Sequence, residues 1–273
     1  MDGTWSEWLN LILRWFHVFA GILWIGQTYY FTWLDHRIVE AEAEAVKMAA
    51  GGHPQVWMVH SGGFYIVEKQ KVPELLPRKL HWFRWEAAFT WLSGFLLLGL
   101  VYYHGGLMVD EMVSNISTSQ AILLSVGLLI AGWVVYDLFW LSPLGRSETV
   151  GAAICYVLVV GTVYGLSHVF SGRAAYLQLG AMFGTIMAAN VWMRILPAQR
   201  ALIAATKEGK APDLRLATRA KTRSKHNTFM VMPLVFTMLS NHFPGTYGSD
   251  YRWVVLSVLV LAGWGAAKIL RSH

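Results

Sequence analysis

The chain of 273 residues is 55% hydrophobic and only 14% charged, which excludes an ordinary soluble domain and indicates an integral membrane protein. The net charge of +6 would suit nucleic acid, but the basic residues are concentrated in two stretches that flank apolar segments. That distribution is typical of cytoplasmic membrane-protein loops, so we expect membrane lipids and no nucleic acid as partners.

Seven apolar segments approach the roughly 20 residues that a helix needs to cross the hydrocarbon core. Because lipid cannot satisfy unpaired strand edges, we predict an all-α, polytopic transmembrane helical bundle. The predicted spans are Trp8–Leu34, Trp82–His104, Ser119–Leu141, Glu148–Phe170, Ala175–Leu196, His226–Phe243 and Arg252–Leu270. Residues 1–273 are predicted to form a single integral membrane domain without a cytochrome c domain.

Two segments between the spans carry most of the lysines and arginines. They are the loop 35–81 and the basic loop 197–225, whereas the segments on the opposite side hold only Arg173. By the positive-inside rule, both basic loops are cytoplasmic. The sequence therefore predicts an N-terminus outside and a C-terminus inside.

The first cytoplasmic loop has recognisable local structure. Residues 36–50 are strong helix formers that end at Gly51-Gly52, so the first helix is predicted to continue past the membrane. Two β-rich runs around Ser61-Gly62-Gly63 predict a hairpin, and Pro73 and Pro77 bracket the return to the bilayer.

The second cytoplasmic loop has a different pattern. It predicts an interfacial helix, a turn at residues 207–213 and a basic amphipathic run. For most of that run, a charged helix lying on anionic headgroups is the simplest interpretation.

Four histidines fall toward the outer side of the predicted bundle. An imidazole in lipid needs a proton partner, a metal or a cofactor, and histidines near helix ends favour haem iron. We predict His17 and His242 as ligands of a haem b, with His168 as a further candidate ligand and Arg14 as a partner for a propionate. Interhelical hydrogen bonding is the alternative for each histidine, and for His104 it is the interpretation we favour.

Polar residues from several spans converge toward the inner side. They are His81, Arg84, Glu86, Asp137, Asn190, Arg194, His226 and Asn227, together with His60, Tyr65 and Glu68 of the hairpin. Such a mixture of donors, acceptors and proton carriers suits a polar, planar, anionic substrate. The alternative is a purely structural set of ion pairs, with Glu86 or Asp137 bound to Arg84 or Arg194.

Four long stretches carry a resemblance to a known family. HSGGFYIVEKQKVPELLPRKLHWFRWEAAFTWLSGF (60–95) resembles the membrane domain of the bacterial cytochrome-c-linked, PuuD-type urate oxidases. RWFHVFAGILWIGQTYYFTWLDH (14–36), FSGRAAYLQLGAMFGTIMAANVW (170–192) and RSKHNTFMVMPLVFTMLSNHFP (223–244) are similar to the same family. Together these stretches extend the resemblance over nearly the whole chain.

The resemblance implies a multi-pass enzyme of the bacterial inner membrane that oxidises urate to 5-hydroxyisourate. It implies electron transfer to a c-type cytochrome rather than to oxygen. The positions carried over are His17, His60, Glu68, His81, Glu86, His226, Asn227, Asn241 and His242. Family members continue through a further span into a cytochrome c domain, whereas this sequence stops at His273 without a CxxCH motif. We therefore expect either a shortened form or a separate cytochrome partner.

From these features we predict that urate enters from the cytoplasm, between the second, fifth and sixth spans, beneath the hairpin. Catalytic roles are assigned to His81, Glu86 and His226, and substrate binding to Asn227, Arg84, Arg194, Asn190, His60 and Glu68. At least one haem b is expected, and a second would be held by His81, His226 or His60 if the two sites lie far apart. The alternatives are a cytochrome-b-like electron-transfer subunit without a substrate site, and a purine or anion transporter.

Overall fold

The computed structural model describes residues 3–47, 54–70 and 79–272, and most of these residues are helical. The helices are α1 Gly3–Lys47, α2 Trp85–Leu97, α3 Thr118–Leu141, α4 Glu148–Val169, α5 Gly172–Ala189, α6 Leu196–Lys207, α7 Leu214–Ser240, α8 Pro244–Tyr247 and α9 Arg252–Arg271. A π-helical segment, Leu98–His104, extends α2, and a second one, Asn190–Ile195, joins α5 to α6. A 3₁₀ turn, Pro143–Arg146, follows α3.

Six membrane-length apolar helices occur in the part of the chain that the structure describes, which confirms the predicted all-α polytopic class. The predicted span His226–Phe243 is not among them, because it forms the second half of α7, whose first half is strongly basic. Helix α7 packs against α5, α9 and the segment Asn190–Ile195. These neighbours cover the polar residues of α7, so α7 can lie inside the bundle although it is less hydrophobic than the other spans.

The predicted hairpin is confirmed. Strand β1, Gln55–His60, pairs antiparallel with β2, Gly63–Glu68, and His60 lies opposite Gly63. The two turn residues, Ser61 and Gly62, have φ of 50° and 77°, as a two-residue hairpin turn with the twist of its strands requires.

The hairpin lies against the part of α1 that extends beyond the predicted span. Val56 packs with Leu34 and Ile38, so the first helix does continue past residue 34, at least to Lys47. The proposed helix stop at Gly51-Gly52 and the turn between Pro73 and Pro77 lie outside the described residues.

The basic loop 197–225 is helical over most of its length. Asp213 caps α7: the side chain and the backbone amide of Arg215 both donate to its carboxylate, which lowers the pKa of that carboxyl. The basic run then continues without a break into the second half of α7. A helix resting on headgroups is therefore the wrong description at the end of the run, because Ala220 and Arg223 are buried in the bundle.

Close packing around α5 forms the core. A Cβ atom added at Gly180 of α5 would lie 2.1 Å from Oγ1 of Thr237, and one at Gly263 of α9 would lie 2.9 Å from Cδ of Pro233. Glycine at these two positions lets α5 and α9 approach α7 closely. This contact fixes α7 as the shared partner of both helices and positions its polar residues against α3 and α5.

Candidate functional site

One buried carboxylate binds two guanidinium groups near the inner end of the bundle. Asp137 of α3 accepts from Nε of Arg194 at 2.9 Å and from Nη2 of Arg223 at 2.8 Å, and Nη2 of Arg194 also donates to it. Arg223 is 2% exposed, and its Nη1 has no partner among the residues described. The three side chains therefore carry one surplus positive charge, which favours an anion nearby.

A chain of hydrogen bonds runs beside this ion-pair cluster. Nδ2 of Asn190 donates to Oη of Tyr136 at 3.0 Å and to Oδ1 of Asn227 at 2.9 Å, and Oη of Tyr136 lies 2.7 Å from Nδ1 of His226. Nδ2 of Asn227 donates to the carbonyl of Met187 at 3.0 Å. Because Asn190 supplies a donor to Tyr136, the hydroxyl proton of Tyr136 is directed at His226. We therefore assign Nδ1 of His226 as an acceptor.

The segment Asn190–Ile195 presents both Asn190 and Arg194 to α3. Residues four apart lie on one face of a helical segment. Asn190 therefore contacts Tyr136 while Arg194 contacts the adjacent Asp137. Arg223 of α7 completes the arrangement, with its guanidinium 4.8 Å from the ring centre of Tyr136.

A cavity of about 770 Å³ lies between α3, α4, α5, α7 and α9, which we call the main cavity. Its polar end is lined by Tyr136, Trp140, Glu148, Lys225 and His226. The ring centres of Trp140 and His226 are 4.2 Å apart, and Lys225 forms an ion pair with Glu148. The remaining wall is mostly apolar. A planar ring with polar edges would find an aromatic surface, a histidine and a cation at this end.

A comparison with protein families indicates the class of substrate. The family model described as urate oxidase N-terminal matches residues 3–272. The chain belongs to the urate oxidase N-terminal family. Comparison with curated proteins and with solved structures gives no match. The membership confirms the resemblance seen in the sequence and indicates an oxidoreductase that acts on urate.

The structure brings together four of the inner residues predicted for the urate site, namely Asn190, Arg194, His226 and Asn227. Their roles differ, however. Arg194 forms the structural ion pair with Asp137 that was the alternative interpretation, and the two asparagines bind each other. Of the four, His226 is the one that lines the main cavity.

The predicted pair Arg84 and Glu86 lies elsewhere, where α2 meets α1 and the segment Asn190–Ile195. Glu86 accepts from Nε2 of Gln27 at 3.1 Å, and the guanidinium of Arg84 lies 5.9 Å from the ring centre of Trp192. Oε2 of Glu86 and Nε of Arg84 are buried without a described partner. These two residues form a separate polar cluster and do not line the main cavity.

The remaining inner residues of the predicted urate site are more exposed. His81 packs edge-on against Phe83, with ring centres 4.5 Å apart. Nδ1 of His60 lies 2.8 Å from Oγ of Ser61, and Glu68 accepts from Gln70 at 2.9 Å. Since the hairpin packs mainly on α1, the contacts described do not place His60 or Glu68 over the main cavity.

Among the predicted haem ligands, His17 has the best-defined environment. Its Nδ1 lies 3.0 Å from the carbonyl of Thr90 and 3.0 Å from Oγ of Ser93, and a Cβ at Gly94 would lie 2.9 Å from its Cε1. A carbonyl only accepts, so Nδ1 carries the proton and Nε2 keeps its lone pair. This tautomer fits an axial ligand of haem iron.

The other outer residues lie near the end of the bundle. His242 is exposed in the turn after α7, His168 is exposed with Nδ1 2.8 Å from the carbonyl of Tyr164, and Nε of Arg14 donates to Asn10 at 2.5 Å.

The structure does not place His17 and His242 at one level. His17 contacts α2 at Ser93, whereas Asn241, next to His242, accepts from Oη of Tyr102 at 2.9 Å. Ser93 and Tyr102 are about 13 Å apart along a helix. A movement would therefore be needed for His17 and His242 to bind one iron.

Tyr136, Trp140 and Arg223 were not among the residues predicted for the site. A signal existed for Arg223, which precedes His226 by three residues and therefore shares its helix face. Tyr136 adjoins Asp137 in sequence, but its contact with α7 depends on how the helices pack.

Proposed function

We propose that this chain oxidises urate to 5-hydroxyisourate at the polar end of the main cavity. The observation that carries the proposal is the surplus positive charge of Asp137, Arg194 and Arg223 beside a cavity that His226 lines, in a chain matched to the urate oxidase family over residues 3–272. Urate is a planar anion at neutral pH, so it compensates that charge and stacks on Trp140.

The reaction requires a proton acceptor at this end. Urate and water give 5-hydroxyisourate, two protons and two electrons, as a bond forms between a ring carbon and the water oxygen. Tyr136 and His226 act together as the base: the hydroxyl of Tyr136 takes a proton while passing its own to Nδ1 of His226. If the proton of Tyr136 moves to His226 first, the guanidinium of Arg223 above the phenol ring stabilises the phenolate until Tyr136 takes up the proton released by the reaction.

The other inner residues have supporting roles in this proposal. Asn190 and Asn227 orient Tyr136, and Arg194 holds Asp137 in place. Lys225, paired with Glu148 in the cavity wall, has further ammonium donors for the bound substrate. His81 and Glu86 were predicted as catalytic, but neither lines the main cavity, so no proton step is assigned to them.

A haem b and a c-type cytochrome complete the proposal for the electrons. His17 would hold the haem through Nε2, with His242 or His168 as candidates for a second ligand, and Arg14 would pair with a propionate. When bound, the haem would supply one-electron chemistry, with a periplasmic cytochrome as the acceptor. Basic residues at the start of α7 and the end of α9 support an inner-membrane orientation with the C-terminus inside.

The test is steady-state oxidation of urate by the purified chain with a c-type cytochrome as acceptor. We expect cytochrome reduction that depends on urate and produces no hydrogen peroxide. His226→Gln should lower kcat by about 10²–10⁴-fold, as loss of a general base does, while His36→Gln, in the part of α1 beyond the predicted span, should not. Folded, haem-loaded protein that transports urate without oxidising it would favour the transporter instead.

A further inference from the structure

A second cavity of about 420 Å³ adjoins the main cavity at the inner end of the bundle, and we call it the inner pocket. Trp140, at the end of α3, forms one wall, and Thr218, Arg219, Thr222 and Arg223, from the first turns of α7, form another. Trp140 lines both cavities, so its indole is part of the wall between them.

The inner pocket is electropositive. Asp213 neutralises Arg215 at its rim, with Nε of Arg215 3.1 Å from Oδ1 of Asp213, whereas Arg219 forms no ion pair within the described ranges. Arg223, 2% exposed, adds the surplus charge of the Asp137 cluster and an Nη1 without a described partner. Thr218 and Thr222 donate to carbonyls of their own helix, so the arginines are the available donors for an anion.

Trp140 adds a flat surface to the inner pocket. A planar anion could therefore stack on the indole with its oxygens toward the arginines. Arg223 also stacks on Tyr136, which lines the main cavity, so the two spaces share the wall made by Trp140 and Arg223.

Direct entry into the main cavity is less favourable for an anion than entry through the inner pocket. Its apolar wall includes Val135, Leu158 and Leu261, each about half exposed on the apolar surface of the bundle, and a charged purine does not cross lipid readily. At its inner end Glu148 and Lys225 form an ion pair, which leaves no net charge there to draw an anion in. The inner pocket, by contrast, presents the exposed side chain of Arg219 to the aqueous side.

We propose that the inner pocket is a binding site for the urate anion, held by Arg219 and Arg223, from which urate passes Trp140 to the main cavity. This inference rests on the proposed function, since it takes urate as the substrate. It assigns to Arg219 a role in capture and none in the chemical step.

The first test separates capture from chemistry. Arg219→Gln should raise the KM for urate about tenfold and leave kcat within about twofold, because a charge-assisted contact is lost before the reaction. Arg219→Lys should recover part of the loss. Lys221→Gln is the matched control: it removes a charge from the same helix at an exposed position that lines neither cavity. An unchanged KM for Arg219→Gln would overturn the proposal.

The second test needs no turnover and therefore distinguishes failure of this site from failure of the proposed function. The purified chain is treated with phenylglyoxal, with urate or inorganic phosphate present, and modification of Arg219 is measured by mass spectrometry. Protection by urate at concentrations where phosphate gives none supports the site even if no oxidation is found. Equal protection by both anions, or protection only when anionic phospholipid is present, identifies a general phosphate or headgroup site and refutes urate capture. No protection, with normal oxidation, refutes this site alone.

Discussion

The buried carboxylate of Asp137 forms ion pairs with two guanidinium groups, those of Arg194 and Arg223. Removing one member of such a cluster leaves buried charge without compensation, which costs more than the intact cluster contributes. Asp137→Asn is therefore expected to lower the free energy of unfolding by about 3–5 kcal/mol. Thermal unfolding in detergent measures this, with the exposed Asp250→Asn as the control. Equal melting temperatures would contradict the geometry of the cluster.

Tyr136 is the residue that connects the cluster to His226. Tyr136→Phe removes the hydroxyl but leaves Asn190 bound to Asn227, so the fold should persist. We expect kcat for urate to fall about 10²-fold or more, with little change in KM. Tyr164→Phe, at an exposed ring beside His168, is the matched control. Full activity in Tyr136→Phe would exclude the proton transfer that we propose.

His17 is the best-placed candidate for a haem ligand because Thr90 and Ser93 fix its ring. His17→Ala should abolish the b-type band in the reduced-minus-oxidised spectrum, whereas His104→Ala, at an exposed position after α2, should retain it. Comparing His242→Ala with His168→Ala then identifies the second ligand. A full spectrum in His17→Ala would show that the ligand assignment is wrong.

At the scale of elements, the close approach of α5 and α7 holds Asn190 against Asn227. Gly180→Ala places a methyl group where Thr237 already lies, so it should destabilise the bundle by about 1–3 kcal/mol. Gly161→Ala, where a Cβ meets nothing within 4 Å, should be neutral or slightly stabilising. The melting temperatures of the two variants test the contact between Gly180 and Thr237. Equal melting temperatures would contradict the close approach of α5 and α7 at this point.

The sequence predicted the elements well where local chemistry determines them. Six spans, the extension of α1 and the hairpin at Ser61-Gly62 follow from apolar length, helix propensity and turn residues. The span His226–Phe243 was predicted, but the burial of Arg223 just before it was not, because the basic first half of α7 resembles a surface helix. Only packing against α5 and α9 shows that Arg223 is inside.

The site was predicted less completely, because its contacts also depend on how the helices pack. Composition and depth singled out His226, Asn227, Asn190 and Arg194, and these do come together. The hydrogen-bond partners of these side chains depend on the π-helical segment Asn190–Ile195 and on how each helix is rotated about its axis. No sequence pattern indicates either feature. Glu86 therefore pairs with Gln27 of α1 rather than with an arginine.

For the whole molecule, the account requires that urate and cytochrome meet opposite faces of the membrane. With Cys155→Ala as background, Ser272→Cys near the end of α9 should be protected from a membrane-impermeant thiol reagent added outside. Ser249→Cys, between α8 and α9, should be labelled. The reverse pattern would place the inner pocket on the wrong side for cytoplasmic urate.

The most direct test of the central claim is a single-turnover experiment without oxygen. Purified, haem-loaded protein is mixed with a small excess of urate, and the 5-hydroxyisourate formed is quantified against the electrons taken up. The account predicts one product molecule for every two electrons in the native chain and almost none in His226→Gln. Urate that remains unchanged in the folded native protein, or product formed equally by His226→Gln, would contradict it.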